Sequence, residues 1–188
     1  MGGDSDPLQR AFAPLIGLPA WSVDKGQASF LTMEFGQPRL LIREPILSRS
    51  ESERVHTRMA QRMVKPVGEW HLWIYCCCWR ALSNGAEIAC SEDPGEKIAA
   101  AARELDGQKL TAIEADPKAG TSRFNFDLGG SLLTWPYDDE DNDEQWLLYL
   151  PSGDVLTYRA DGYYSLGSGK LKEDEIVWQP LATACSAL

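Results

Sequence analysis

At 188 residues and 20.9 kDa, with 44% hydrophobic and 24% charged residues, the chain can build a core without staples and is not disordered, collagen-like or coiled-coil as a whole. Eighteen Lys and Arg against 28 Asp and Glu give a net charge of −10 and a pI ≈ 4.7, which argues against a nucleic-acid partner. No apolar run is long enough for a transmembrane helix, so no membrane partner is expected.

The opening Met1-Gly2-Gly3-Asp4-Ser5-Asp6 lacks the basic and apolar regions of a signal peptide, and a cytoplasmic location is expected. A short helix is predicted over 7–13, capped by Asp6 and stopped by Pro14. Strands follow near 20–24, 28–35 and 38–43, with Leu31, Met33 and Phe35 alternating against Thr32 and Glu34 before Gly36 breaks the run. Ser50 and Glu53 form a capping box for a helix over 51–64. A long aromatic strand is predicted over 69–81, with its hairpin partner at 86–90 across Asn84-Gly85. Next comes the clearest helix of the chain. Asp93, Pro94 and Glu96 start it, Ile98, Ala101, Ala102 and Leu105 give its apolar face, and Gly107 ends it. Strands near 108–115, 121–128, 131–136, 145–150 and 154–159 complete the series, with a last one over 175–178.

The series reads as an internal duplication. Placing Gly36 on Gly129 sets Met33 on Phe126, Glu34 on Asp127 and Leu40 on Leu133, and each copy goes on to a tryptophan strand, at Trp70 and Trp146. The expected fold is α+β, mainly β: two pseudo-repeated antiparallel β-meander units joined by an amphipathic helix, forming one or two packed sheets. The segments are an N-terminal piece (1–19), a first repeat with a basic helical insert (20–92), a linking helix (93–107), and a second repeat with the C-terminal tail (108–188).

On this alignment 46–67 and 138–144 are equivalent connectors of opposite charge. The first presents Arg54, Arg58 and Arg62 at i, i+4, i+8, a single face if the helix runs through. The second is Asp138 to Glu144, six acids in seven residues. It lacks the glycine and terminal glutamate of a calcium loop, so no metal is expected there. The aromatic strand, read as continuous, puts Trp70, Leu72, Ile74, Cys76 and Cys78 on one face and His71, Trp73, Tyr75, Cys77 and Trp79 on the other, with Tyr149 at the position of Trp73 in the second copy. The second face is either buried under another layer or a groove for a flat or peptidic partner. Five cysteines, three of them adjacent, form neither a disulfide framework nor a zinc pattern, and reduced, inert thiols are expected. His56 and His71 are the sole histidines, no nucleophile elbow or phosphate loop is present, and a Glu34–Asp127 carboxylate pair is the sole acid–base candidate. No catalytic residue and no cofactor is expected.

The run Phe124-Asn125-Phe126-Asp127-Leu128-Gly129-Gly130, followed by a tryptophan strand and a Ser152-Gly153-Asp154 turn, resembles short uncharacterised bacterial proteins, some of them similar to toxin-immunity proteins. The resemblance implies a cytoplasmic inhibitor acting by direct binding, and the acidic charge would suit a basic toxin. The function expected is non-enzymatic recognition of a protein partner, with Arg54, Arg58, Arg62, His71, Trp73, Tyr75, Trp79 and Tyr149 as binding residues. Two alternatives stand beside it: a small-molecule binder or hydrolase with a site between the repeats, and a self-associating structural protein, as a homodimer.

Overall fold

A computed structural model of the chain describes residues 6–47, 52–138 and 142–182. Asp6 caps helix α1 (Pro7–Phe12) by accepting the Leu8 N–H at 2.9 Å, and Ala13–Leu15 tighten into a 3-10 turn around Pro14. There follow β1 (Trp21–Lys25), β2 (Leu31–Phe35), β3 (Arg39–Arg43), α2 (Glu53–Met59), β4 (Met63–Val67), β5 (Trp70–Ile74), β6 (Cys78–Ser83) and β7 (Ala86–Cys90). Helix α3 (Gly95–Leu105) comes next, then β8 (Leu110–Asp116), β9 (Thr121–Phe126), β10 (Gly130–Trp135), β11 (Glu144–Tyr149), β12 (Asp154–Arg159), β13 (Tyr163–Ser168) and β14 (Gln179–Pro180). The protein is mainly β, as expected, with every strand pair antiparallel.

Several elements differ from the expectation for local reasons. The second helix ends at Met59 rather than 64, because residues 63–67 pair with β3. Asp93 does not cap α3; its carboxylate accepts the Cys90 N–H at 2.8 Å and pairs with Lys97. The last strand lies at Gln179–Pro180, after a 3-10 turn at Glu173–Glu175, and β13 was hidden by the weak alternation of Tyr163-Tyr164-Ser165-Leu166-Gly167-Ser168. The long aromatic strand is two strands. It breaks at Tyr75–Cys77 and crosses from one sheet to another.

That crossing organises the fold. The larger sheet runs β1-β2-β5-β11-β12-β13-β14 and the smaller β7-β6-β10-β9-β8, while β3 and β4 form a separate hairpin. Each half of the chain makes the same moves. A helix leads into a hairpin (β1–β2 or β8–β9), a third strand joins it (β5 or β10), and the chain then crosses to the other sheet and adds two strands there (β6–β7 or β11–β12). Both hairpins carry a bulge, between Trp21 and Asp24 and between Leu110 and Ala112. Each helix packs on the other half's first strand, α3 on β1 and α1 on β8. Between them the two entry segments run antiparallel, Gly17 N–H to Leu110 O at 2.7 Å and Gly107 N–H to Ala20 O at 2.7 Å, with Gly17 and Gly107 sharing φ +86°.

The duplication is therefore present in the topology, but in another register than the glycines indicated. Met33 faces Leu72 as Phe124 faces Leu132, so Met33 corresponds to Phe124. Ile74 faces Trp146 as Thr134 faces Trp79, so Trp146 corresponds to Trp79 and not to Trp70. Both of these indoles are fully buried, with Trp79 Nε1–H donating to the Ser29 carbonyl (2.8 Å) and Trp146 Nε1–H to Ser122 Oγ (3.0 Å). The proposed twin connectors are not equivalent either. The second crossing, the counterpart of the one at Tyr75–Cys77, falls between the end of β10 at Trp135 and the start of β11 at Glu144. The centre of the acidic run, 139–141, lies outside the described residues.

One core serves both sheets. Phe12 of α1 meets Phe124 (5.9 Å between ring centroids) and Trp146 (5.6 Å), Phe124 meets Trp146 (5.8 Å), and Tyr158 stacks on Trp146 at 5.3 Å. Edge-on and offset ring pairs of this kind add about 0.5–1.5 kcal/mol each beyond burial. Gln145, wholly buried beside Trp146, satisfies both ends of its amide by donating to the Gly120 carbonyl at 2.6 Å and accepting from Thr134 Oγ1 at 2.9 Å.

Candidate functional site

The asymmetry between the halves falls at one step. In the second half the chain passes from β9 to β10 through residues 127–129 alone, whereas in the first half the same step, β2 to β5, takes residues 36–69. Those residues form an arm, the β3–β4 hairpin with α2 at its far end. The arm is pinched off where it leaves the sheet. Gly36 sits at φ +77° against the Trp70 ring, and a Cβ on Gly68 would run into the Phe35 carbonyl oxygen. Within the arm, the Arg43 guanidinium donates to the carbonyls of Arg58 (2.9 Å), Met59 (3.3 Å) and Gln61 (3.3 Å), which fastens the C-terminal end of α2 to β3.

The arm has almost no interior. Leu40 (65% exposed), Ile42 (55%), Val64 (53%) and Leu47 face solvent along with Leu41 and Ile46. These side chains sit among cations. Residues 37–67 hold seven Lys or Arg and three Glu, net +4, which leaves −14 on the rest of the chain. Among the described residues β3 and β4 pair only with each other, so the outer edge of each is open.

Between the arm and the outer face of the larger sheet lies a concavity of about 800 Å³. On the sheet side Trp73, Tyr75 and Phe30 form a ring cluster, with centroids 4.6 Å apart for Trp73–Tyr75 and 4.8 Å for Phe30–Tyr75. Arg58 and Lys65 line it from the arm. At its floor Glu34, buried in a strand, accepts the Gly68 N–H at 2.9 Å and lies 2.9 Å from Nδ1 of His71. Burial pushes the Glu34 carboxyl up, but the hydrogen bonds from His71 and from the Gly68 N–H outweigh it and hold the group below its ordinary value of 4.5. The carboxylate therefore fixes the imidazole and ties the arm's return strand to the sheet. The Tyr149 ring lies 5.6 Å from that of His71 on the neighbouring strand, and burial raises its phenol.

Of the eight residues expected to bind, the structure brings five together. His71, Trp73, Tyr75 and Arg58 line the concavity, and Tyr149 lines the adjoining hollow with His71 and Trp73. Arg54 is exposed on α2, but Arg62 lies beyond the end of the helix, where it pairs with Glu44 at 2.8 Å; the three-arginine face is cut to two. Trp79 is removed from the site altogether. The crossing at Tyr75–Cys77 puts it in the core of the other sheet. Glu34 and Asp127 are no acid–base pair. They belong to different sheets' hairpins, and Asp127 accepts the Lys109 N–H at 2.8 Å in an exposed turn.

The sequence reading missed Leu40, Ile42 and Val64 as surface residues. The available signal was Arg39-Leu40-Leu41-Ile42-Arg43, a strand without alternation closed by two arginines. Phe30 and Lys65 were missed because no spacing rule links them to Trp73. Comparison of the chain with protein-family models, with curated proteins and with solved structures finds no match.

Proposed function

We propose that the chain is a non-enzymatic recognition protein that holds a protein partner through the β3–β4 arm, in the manner that the likeness to immunity proteins implies. The observation that carries this reading is the arm itself. A hairpin with Leu40, Ile42 and Val64 each more than half exposed contributes little to the core, yet glycines and a buried carboxylate anchor it. Apolar side chains ringed by cations fit a partner surface that is apolar at its centre and acidic at its rim. A basic partner, as expected from the net charge alone, would have to meet the −14 remainder of the chain instead.

Site-directed photo-crosslinking in cells tests this. A crosslinker at Ile42 is expected to give one discrete adduct with another protein, and the same group at Arg123, on the smaller sheet, none. That protein, purified, should lose at least about tenfold in affinity for an Ile42→Ser, Val64→Ser variant. An adduct made only with a second copy of the chain would replace recognition with self-association, and the absence of any adduct at the arm would overturn the reading.

A further inference from the structure

The concavity beneath the arm has the makings of a small-ligand site that is separate from the arm's outer surface. Its volume, about 800 Å³, lies within the range of about 300–1,000 Å³ usual for such sites. One wall is aromatic. Phe30, Trp73 and Tyr75 are all half-buried, so their rings are packed on one another yet present surface to solvent. The opposite wall is cationic: among the described residues no carboxylate makes a direct ion pair with Arg58 or Lys65, although the Lys65 charge acts at longer range on Glu34. Two carboxylates also line the space: Glu34 is held by Gly68 and His71, and Asp24, exposed at the rim, accepts from the Ser22 hydroxyl at 3.2 Å. With Nδ1 of His71 committed to Glu34, its other ring nitrogen is the one left for a ligand. Gln27 and Thr32 supply neutral polar groups on the same walls.

We infer that this concavity binds a planar aromatic anion, its ring set among the mutually inclined rings of Trp73, Tyr75 and Phe30 and its acidic group held by Arg58 and Lys65. Stacking alone would accept any flat ring; the paired cations confine the choice to an anion.

Calorimetric titration of the full chain with 2-naphthoate, 2-naphthylmethylammonium and cyclohexanecarboxylate separates the two requirements. Naphthoate is expected to bind at least about tenfold more tightly than either of the others, since each lacks one half of the recognition. Arg58→Glu with Lys65→Glu, both exposed positions, should cost naphthoate at least about tenfold, and Phe30→Ala a similar factor. Arg123→Glu should change nothing, although Arg123 lines a hollow of about 530 Å³ on the smaller sheet where Arg80 lies over the Trp135 ring at 5.2 Å. Equal binding of the ammonium, no binding at all, or sensitivity to Arg123→Glu rather than to Arg58 and Lys65 would each overturn the assignment. Ile42→Ser with Val64→Ser should leave naphthoate affinity within about twofold, so that failure here is distinct from failure of the arm's recognition role.

Discussion

Set side by side, the β2-to-β5 and β9-to-β10 steps solve one topological problem in two ways. In the second half a three-residue turn, 127–129, suffices to place β10 beside β9. In the first half residues 36–69 intervene, and β5 still arrives beside β2 in the equivalent register, Met33 on Leu72 where the other half has Phe124 on Leu132. A duplicated framework of hairpins and crossing strands makes the fold, and the material that the second half does without makes the surface.

The largest effects should come from breaking what the halves share. Trp79→Ala and Trp146→Ala remove equivalent, fully buried indoles, and each should destabilise by about 3–5 kcal/mol in urea unfolding. A result in which one is silent would deny their equivalence. Next come the anchors present in the first half alone. Gly68→Ala, which forces a Cβ against the Phe35 carbonyl, should cost about 1–3 kcal/mol, and Gly129→Ser at the matching turn can be compared with it in the same assay.

Glu34→Ala leaves the Gly68 N–H without its acceptor and His71 without its partner, an expected loss of about 1–3 kcal/mol. That contribution depends on pH with a definite sign. Because the folded state holds the Glu34 carboxyl below 4.5, its stabilisation is complete above pH 4.5 and fades as the pH falls through the depressed folded value. Urea midpoints between pH 7 and pH 3 should therefore fall more steeply for the natural chain than for Glu34→Gln. The smallest effect on stability belongs to Leu40→Ser and Ile42→Ser, expected within about 0.5 kcal/mol of the parent by the same unfolding measurement.

The framework was legible where periodicity and turn chemistry act locally. The α3 face Ile98, Ala101, Ala102 and Leu105 is buried as its spacing indicates, and Asn84 and Gly85 take the left-handed φ values of +50° and +81° that a two-residue hairpin turn needs. The register of the duplication was not legible. The run from Trp70 to Trp79, apolar or aromatic but for His71, gives no mark of the crossing at Tyr75–Cys77, because residues 70–74 and 78–83 are strands on both sides of it. Once the crossing is missed, alternation carries the wrong parity forward, and Trp79 is assigned to the face of Trp73. The hairpin across Asn84-Gly85 also carries a bulge between Ala81 and Leu82, which sets Arg80 against Cys90 and leaves no local mark in the sequence. His71 and Trp73 were found by alternation along the aromatic strand. Their neighbours Phe30 and Lys65 reach the site only through the fold of the arm, which depends on the non-local pairing of β3 with β4.

The central claim is that the arm is an appendage on a framework complete without it. Replacing residues 36–69 with the Asp-Leu-Gly turn of 127–129 and recording thermal unfolding tests it most directly. The replacement removes the Glu34 anchor at Gly68, the Gly36 carbonyl that accepts from the Trp21 indole and the buried Val67, and a single cooperative transition within about 8 °C of the parent is the result expected. A chain that fails to unfold cooperatively, or that melts far below the parent, would mean that the arm builds the fold rather than decorates it.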